Sequence, residues 1–308
     1  MTRKRKGDPV HGWIVIDKPA GISSAKVVAK VRHALNAAKA GHGGTLDPLA
    51  TGVLPVALGE ATKTMAFEFD SRKSYRFTLR FGEARATDDA EGAVIATSDV
   101  RPGDAEIAAV LPRFTGEILQ TPPRFSAVKV AGERAYRLAR AAEAFALAPR
   151  PVLIERITLI SREGPDTARF EVRCGRGAYM RALVRDLGEA LGTCAYMADL
   201  RRLSVGPFAE SQAISLDSLM ALGHSAAAFE HLLPVETALD GIPALALSEG
   251  EARSLRRGQS VPLLRAGDVD RLDGLSPGIS VCAMANGKPV AVAKFDRGHL
   301  RPVRVFNL

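Results

Sequence analysis

Apolar and polar residues follow two kinds of period in the first 200 positions of the chain, one typical of strands and one typical of helices. From Tyr75 to Phe81, aromatic and aliphatic residues occupy every second position, with arginine or threonine between them, which is the period of a half-buried strand. Short apolar runs predict further strands, over residues 13–16, 152–160 and 168–174, and the apolar run over residues 53–58 is expected to be buried. Between Val27 and Leu35 the apolar residues recur at helical spacing, and either Ser23 or Ser24 can cap that helix.

A second helix is predicted over residues 179–191. Its apolar residues fall on one face: Met180, Leu183, Val184, Leu187 and Leu191. Arg181 and Arg185 are four residues apart on the flank of this face and therefore point the same way. Strands and helices in mixed order favour an α+β domain, in which helices flank a mixed β-sheet.

The pattern of predicted elements changes near residue 240. A capped helix is predicted over residues 248–258, and short strand-like runs follow at 279–284, 290–294 and 303–306, separated by glycine and proline. We therefore divide the chain into a basic arm (residues 1–10), which we expect to be disordered, a main domain (11–240) and a small β-rich domain (241–308).

Composition narrows the class of protein. A chain of 308 residues has room for two domains, and 46% hydrophobic with 25% charged residues is ordinary for a globular protein. A net charge of +8 favours a polyanionic partner such as nucleic acid. The three cysteines are widely spaced and form no Cys-x-x-Cys pair, so we expect reduced thiols, no zinc site and a cytoplasmic location. No apolar run approaches the roughly 20 residues that span a bilayer.

The most informative segment is the glycine-rich stretch from Gly41 to Gly52, which contains His42, Asp47 and Pro48. Glycine permits crowded or left-handed backbone, and proline keeps the preceding residue out of the helical region. One interpretation is a rigid loop that holds the Asp47 carboxylate beside a ligand. The other is an Asx turn, in which the carboxylate only caps backbone N–H groups. Spacing alone leaves both open.

This segment resembles the nucleophile loop of the bacterial tRNA pseudouridine-55 synthases, the TruB family, whose pattern runs Gly-His-x-Gly-x-Leu-Asp-Pro-Leu-Ala-x-Gly. Other motifs follow in the family's order, and together they span most of residues 11–210. They are Asp17-Lys18-Pro19-Ala20-Gly21, Ser23-Ser24, Ser74-Tyr75-Arg76, the run from Pro122 to Lys129, Gly177-Ala178-Tyr179-Met180-Arg181 and Leu200-Arg201-Arg202-Leu203.

The resemblance implies a pseudouridine-synthase-like catalytic domain followed by a small PUA-like β-barrel that binds RNA. It also implies an isomerase that converts uridine-55 to pseudouridine in the T-loop of tRNA, without a guide RNA, a cofactor or a metal. The T-arm stem-loop of tRNA is then the partner, and we expect a monomer that needs no protein partner.

The resemblance also assigns roles to individual residues. Asp47 matches the nucleophile, and Arg181 matches the arginine that the family places against it. Tyr75 matches an active-site tyrosine that stacks on the flipped uracil. Its hydroxyl is also a candidate for moving the proton lost from the nucleoside, although a phenol with a pKa near 10 is a poor base unless it is tuned.

Further matches concern substrate binding. His42 resembles the histidine that fills the space vacated in the RNA, and Tyr179 and Leu200 match positions that line the uracil pocket. Lys18 matches a position near the site, where it supports either the loop or a phosphate. Scattered basic residues are candidates for phosphate contacts, namely Arg124, Lys129, Arg134, Arg137, Arg140, Arg201 and Arg202.

We expect one acidic segment to lie outside the active site. Asp88-Asp89-Ala90-Glu91-Gly92 is a turn cluster that no histidine accompanies, and we expect a solvated loop in preference to a cation site.

Two alternatives to a stand-alone enzyme remain at this level. One is the guide-RNA-dependent relative, which shares the Leu-Asp-Pro core. The other is a non-catalytic RNA-binding protein that acts as a tRNA folding chaperone. The presence of Asp47, Tyr75 and Arg181 together argues against a degenerate enzyme.

Overall fold

The structure is a computed structural model that describes residues 7–68, 72–141, 143–263 and 275–308. In chain order, its strands are β1 (Gly12–Lys18), β2 (Ala40–His42), β3 (Thr51–Leu58), β4 (Lys73–Phe81), β5 (Glu83–Arg85), β6 (Val94–Thr97), β7 (Gly116–Gln120), β8 (Lys129–Val130), β9 (Glu133–Arg134), β10 (Arg150–Arg162), β11 (Thr167–Cys174), β12 (Ala195–Val205), β13 (Phe208–Ala209), β14 (Ile214–Ser215), β15 (Ala244–Ala246), β16 (Val261–Pro262), β17 (Ser280–Ala285), β18 (Lys288–Asp296) and β19 (His299–Val305).

The described residues form fewer α-helices than strands. The helices are α1 (Ser24–Ala34), α2 (Met65–Glu68), α3 (Asp104–Val110), α4 (Ala135–Arg140), α5 (Met180–Ala190), α6 (Leu216–Leu222), α7 (Ala226–Phe229) and α8 (Glu249–Arg256). None of them is both long enough and apolar enough to cross a membrane.

A mixed sheet of ten strands forms the main body. The strand order is β14-β1-β3-β12-β4-β11-β10-β7, with β2 paired to β3 and β13 paired to β12. Strand β12 runs parallel to β3 and antiparallel to β4, so it joins the two halves of the sheet. The α+β fold class expected from the sequence is confirmed, and the main predicted strands correspond to β1, β4, β10 and β11. The apolar run over residues 53–58 is buried as expected and lies in β3.

One face of this sheet packs against helices. The alternation in β4 places Phe77 and Leu79 in the core, and the Phe77 ring lies 5.3 Å from the Phe170 ring between centroids. Helices α1, α3, α5 and α6 contribute buried side chains to the same cluster. Ser23, rather than Ser24, caps α1, since its side chain accepts a hydrogen bond from the Lys26 N–H at 3.3 Å.

A five-stranded C-terminal sheet covers part of the opposite face. Its order is β15-β17-β18-β19-β16, and its curled form agrees with the PUA-like domain expected from the sequence. Trp13 and Phe208 of the main sheet share a buried cluster with Cys282, Val292 and Phe306 of the C-terminal sheet. The two sheets therefore meet through an apolar interface. The domain division at residue 240 stays a prediction, and β15 begins four residues beyond it at Ala244.

The expected basic arm falls partly outside the described residues, which begin at residue 7. Residues 7–10 contact the main domain. The Asp8 N–H donates to the Asn36 carbonyl at 2.6 Å, and the Asn36 amide donates to the Asp8 carboxylate at 3.0 Å. These bonds tie the segment to the end of α1, a contact that is not visible in a local sequence pattern.

Candidate active site

The loop between β2 and β3 carries Asp47, and its backbone is held on both sides of that residue. On one side, the Ser24 hydroxyl donates to the Leu46 carbonyl and accepts from the Leu46 N–H, both at 2.9 Å. On the other side, Lys18 Nζ donates to the Pro48 carbonyl at 3.1 Å. The loop is therefore a fixed platform, as its glycine and proline content predicts.

The Asp47 carboxylate is directed at a buried arginine. Arg181 Nη2 lies 3.0 Å from Asp47 Oδ2, and the arginine side chain is only 7% exposed whereas that of Asp47 is 37% exposed. The partner of the carboxylate thus lies outside the Asp47 loop, which favours the functional interpretation of Asp47 over the Asx turn. A carboxylate beside an apolar ligand needs a nearby cation to stay charged. Arg181, in the first turn of α5, supplies that cation to Asp47.

Arg181 is fixed by four groups in total. Besides Asp47, it lies 3.5 Å from Asp89 Oδ2 through Nη1. Its guanidinium also donates to the carbonyls of Thr87 at 3.1 Å and Phe125 at 3.0 Å. A guanidinium with its donors satisfied in this way presents one orientation to Asp47.

The acidic turn at residues 88–92 is not the solvated loop expected from the sequence. Asp89 is 3% exposed and faces Arg181, and Asp88 Oδ2 lies 3.0 Å from Arg185 Nη1. Burial raises the pKa of Asp88 to about 6, and the charges of Arg185 and Arg181 oppose that shift. The expectation was wrong because the arginines that neutralise this turn lie some 95 positions away in α5. No group of three or more metal-binding side chains is found among the described residues.

Asp47, Tyr75, Arg181, Tyr179 and Leu200 line one cleft of about 500 Å³. Five of the predicted site residues are therefore brought together from β4, β12, the start of α5 with the residue that caps it, and the Asp47 loop. Tyr75 is 8% exposed on β4, and Leu200 is 7% exposed on β12. The dimensions and the mixed polar and aromatic lining suit a single extruded base.

Tyr75 and Tyr179, two of the tyrosines that line the cleft, are kept in their neutral forms. Burial raises the pKa of Tyr75, and a hydrogen bond and the charge of Arg202 oppose the shift without cancelling it. Burial also raises the pKa of Tyr179. The Tyr179 backbone is fixed by the Gln120 amide, which accepts from its N–H at 2.8 Å and donates to its carbonyl at 3.1 Å. The part of the Tyr75 hydroxyl in proton transfer stays a prediction.

Two of the predicted binding residues lie outside the lining of this cleft. His42 ends β2, and burial lowers the pKa of its imidazole; among the described residues its buried Nδ1 has no hydrogen-bond partner. Lys18 is fully buried, and its Nζ donates to the carbonyls of Pro19, Ile22 and Pro48. Of the two roles open for Lys18, these bonds correspond to support of the loop.

The basic residues predicted to contact phosphates differ in their surroundings. Arg202 is 1% exposed and cannot meet a phosphate at the surface, so that prediction was wrong. Arg201 pairs with Asp17 and Glu210. The others lie in the described part of residues 122–141, where most side chains are exposed, and Arg134 lines the cleft itself.

Several residues of the cleft were not singled out by the sequence pattern. Phe125 and Ser126 belong to a motif that was recognised but not placed, and Tyr136 and Lys73 also line the cleft. The family motif is the signal for Phe125 and Ser126. No local signal identifies Asp89, since its importance comes from contact with Arg181.

Comparison with known proteins agrees with this geometry. Residues 32–180 match the family model described as TruB family pseudouridylate synthase (N terminal domain), and residues 181–240 match tRNA pseudouridylate synthase B C-terminal domain. The chain is 54% identical over 308 residues to tRNA pseudouridine synthase B of Rhodospirillum rubrum, with 100% of both chains covered.

The chain belongs to the TruB family. Another TruB relative, tRNA pseudouridine synthase B of Caulobacter vibrioides, is 50% identical over 310 residues and also covers 100% of both chains. Residues 241–308 lie beyond the two family models but within these full-length alignments.

Solved structures with the TruB-like fold include more distant proteins. The archaeal box H/ACA sRNP Nop10-Cbf5 complex contains a chain 26% identical to this one, with a TM-score of 0.73 and coverage of 100% of this chain and 93% of that chain. A chain of an H/ACA RNP bound to a substrate RNA containing 2'-deoxyuridine is 25% identical, with a TM-score of 0.75 and coverage of 100% and 92%.

Proposed function

We propose that this TruB-family isomerase converts uridine-55 to pseudouridine in the T-loop of tRNA, with Asp47 as its nucleophile and without a guide RNA. One observation carries the proposal: the Asp47 carboxylate lies 3.0 Å from the buried Arg181 guanidinium at the edge of a cleft that two tyrosines and a leucine also line. Relatives at 50–54% identity named tRNA pseudouridine synthase B support tRNA as the substrate.

The reaction requires little beyond a positioned carboxylate. The N1–C1′ glycosidic bond breaks, the uracil turns while it stays bound, and a C5–C1′ bond forms as the proton on C5 leaves. Asp47 attacks either C1′ or C6 of the nucleoside and is released again when the new bond is complete. No atom other than the exchanged proton enters or leaves, so the cycle needs no co-reactant.

Arg181 keeps the nucleophile in its charged form while a base covers it. A bound uracil excludes water from the cleft, and an unpaired carboxylate in such surroundings becomes protonated. The guanidinium supplies the opposite charge from a position that is already buried in the free enzyme, so no side chain has to reorganise when the base enters.

Tyr75 and Tyr179 bind the base by their rings. Stacking of a base on an aromatic ring contributes about 1–3 kcal/mol and helps to offset the few kcal/mol that extrusion of a nucleotide costs. Because burial raises the pKa of Tyr75, its hydroxyl enters the reaction protonated and acts as a hydrogen-bond donor rather than as the base.

The rest of the chain contacts the RNA outside the cleft. His42, on the same loop as Asp47, fills the space that the extruded nucleotide leaves. Exposed basic residues around residues 122–141 contact phosphates, and the C-terminal sheet forms a separate RNA-binding domain. The net charge of +8 supports this role. We assign the enzyme to the cytoplasm, as a monomer that needs no protein partner.

The decisive experiment measures release of tritium from a T-arm hairpin in which uridine-55 carries the label at C5. The purified parent protein alone is expected to release the label, and Asp47→Asn is expected to release none while it binds the hairpin within threefold of the parent. Asp217→Asn makes the same change in charge at an exposed position of α6 and is the matched control.

Two results would contradict the proposal. Release by Asp47→Asn at the parental rate would remove Asp47 as the nucleophile. Absence of release by the parent, restored by a guide RNA or by an added protein, would identify the guide-dependent type of enzyme. A hairpin labelled at a different T-arm uridine tests whether position 55 is the target.

A further inference from the structure

Arg202 is a buried cation that the proposed reaction does not use. It is 1% exposed and lies in β12, where the sheet changes from a parallel to an antiparallel pair. Its register partners are Gly52 on β3 and Tyr75 on β4. The same residue therefore neighbours the strand that follows the Asp47 loop and the strand that carries Tyr75.

The guanidinium of Arg202 binds the nucleophile loop through its backbone. Nε donates to the Val53 carbonyl at 2.7 Å, and Nη2 donates to the Gly44 carbonyl at 3.0 Å. Nη1 reaches the Thr45 carbonyl at 3.5 Å. These bonds join the beginning of the loop, three residues before Asp47, to the strand after it.

The backbone of Arg202 is equally close to this loop. Gly52 has a φ of +95°, and a Cβ atom at that position would lie 2.2 Å from the Arg202 carbonyl oxygen. Only glycine accommodates both the conformation and the approach. Side chain and backbone of Arg202 thus fix the two ends of the segment that holds Asp47.

A buried guanidinium is a costly way to fill space. An apolar side chain of the same volume would avoid the desolvation of a charge, which amounts to several kcal/mol. The guanidinium donates to the Gly44 and Thr45 carbonyls of the loop and to the Val53 carbonyl of β3. Its charge also opposes the rise in the pKa of Tyr75 that burial causes. The guanidinium therefore serves the geometry of the cleft.

We propose that Arg202 is a positioning residue for the isomerisation: its one guanidinium couples the Asp47 loop to the strand of Tyr75 and so fixes the distance between nucleophile and stacking ring. The inference rests on the proposed function, because it concerns the rate of that reaction. It predicts a loss in the chemical step and not in RNA affinity, since Arg202, although it lines the cleft, is 1% exposed and directs its guanidinium at backbone carbonyls.

The test compares Arg202→Met with Arg202→Lys. At saturating hairpin, the single-turnover rate of Arg202→Met is expected to fall at least 100-fold, while the Kd for the hairpin changes less than threefold. Arg202→Lys, whose ammonium can still bind one or two of the carbonyls, is expected to recover about tenfold of that loss and to stay below the parental rate. A residue that only stabilises the fold would lower the active fraction, measured by binding stoichiometry, and leave the rate per folded molecule unchanged.

Arg76→Met is the control, because Arg76 lies on the same strand as Tyr75 but is exposed and paired with Glu171. It is expected to keep the parental rate. A folded Arg202→Met with the parental rate, or a loss confined to Kd, overturns the inference. If Arg202→Met does not fold, Arg202→Lys decides the matter, since a parental rate in that variant also overturns it. Label release by the parent and by Arg76→Met tests the proposed function separately.

Discussion

Lys18 is held below the nucleophile loop by three carbonyl groups, and its charge state depends on its burial. The side chain is fully buried, and desolvation lowers its pKa from 10.5 to about 8, although Asp47 favours the charged form. The ammonium donates to all three carbonyls, whereas the neutral amine has only two N–H bonds to offer. The protonated form therefore holds the loop more firmly.

This arrangement predicts a decline in rate on the alkaline side. As pH rises through about 8, Lys18 loses its proton, one carbonyl of the set loses its donor and the single-turnover rate falls. The free energy of unfolding changes in the opposite direction to the rate. The cost of burying the Lys18 charge is fully present below pH 8 and is relieved as the pH rises from about 8 to 10.5, so the protein becomes more stable over that range. Rates measured from pH 6 to 9.5 check the prediction.

Lys18→Arg provides the comparison, because a guanidinium stays charged over that range. We expect a lower but pH-independent rate between pH 7 and 9 in this variant. If it shows the same alkaline decline as the parent, another group is responsible.

Asp89 illustrates how a second carboxylate acts through Arg181. It is 3% exposed, lies 3.5 Å from Arg181 Nη1 and accepts hydrogen bonds from the Thr87 hydroxyl and, at 3.1 Å, from the Glu91 N–H. Asp89→Asn keeps the shape but leaves Arg181 with Asp47 as its remaining carboxylate.

We predict that Asp89→Asn lowers the single-turnover rate by about 10- to 100-fold, as expected when a catalytic group is misplaced by a fraction of an ångström to an ångström. The free energy of unfolding should also fall by about 3–5 kcal/mol, because a buried ion pair loses one partner. Single-turnover kinetics and urea unfolding measure the two effects. Asp99→Asn, an exposed change, should alter neither, and a parental rate in Asp89→Asn would contradict the predicted role.

At the scale of elements, α1 is attached to the nucleophile loop by one side chain. Ser24 begins this helix and is 2% exposed, and its hydroxyl exchanges two hydrogen bonds with the Leu46 backbone, directly before Asp47. Removal of the hydroxyl leaves a buried N–H and a buried carbonyl without a partner, which costs about 1–3 kcal/mol for each unsatisfied group.

Ser24→Ala is therefore expected to reduce the rate about tenfold and to lower the free energy of unfolding by about 2–6 kcal/mol, the sum for the two unsatisfied groups. Ser23→Ala, which removes only the N-terminal cap of α1, should cost about 1 kcal/mol and leave the rate unchanged. Equal rates for the two variants would show that α1 does not position Asp47. Denaturant unfolding and single-turnover assays give both quantities.

At the scale of the whole molecule, the C-terminal sheet is fixed to the main sheet by the end of β19 and the residues after it. Phe306 is 1% exposed in a cluster with Trp13. Two polar contacts flank it: Lys63 Nζ donates to the Val305 carbonyl at 2.8 Å, and the Asn307 N–H donates to Glu60 at 2.8 Å. These contacts orient the proposed RNA-binding domain relative to the cleft.

Phe306→Ala is predicted to destabilise the protein by about 3–5 kcal/mol, the usual cost of truncating a buried phenylalanine. Because the cluster spans both sheets, we also expect the variant to show a separate early transition of the C-terminal sheet in thermal unfolding. Leu308→Ala, which changes a side chain that is 49% exposed, is the control. A single transition with the parental Tm in Phe306→Ala would mean that the interface is not held here.

The sequence was informative wherever a feature depends on neighbours along the chain. Alternation predicted β4, helical spacing predicted α5, and the glycine-rich motif identified the Asp47 loop. Predictions failed where the partner is distant. The acidic turn looked solvated because the arginines of α5 are far away in the sequence, and Arg202 looked like a surface residue because one basic residue of an Arg-Arg pair resembles the other.

The sequence by itself thus determined the α+β class, the family and five of the residues that line the cleft, because strand and helix periods and short motifs are local properties. Only the tertiary structure decided which of two adjacent arginines is buried, which serine holds the loop and which carboxylate joins Asp47 on Arg181. These outcomes depend on the crossing of β12 between β3 and β4 and on the packing of α5 over the acidic turn. The burial of each charged side chain, and therefore its effect on the site, is set by contacts that the chain makes only when it is folded.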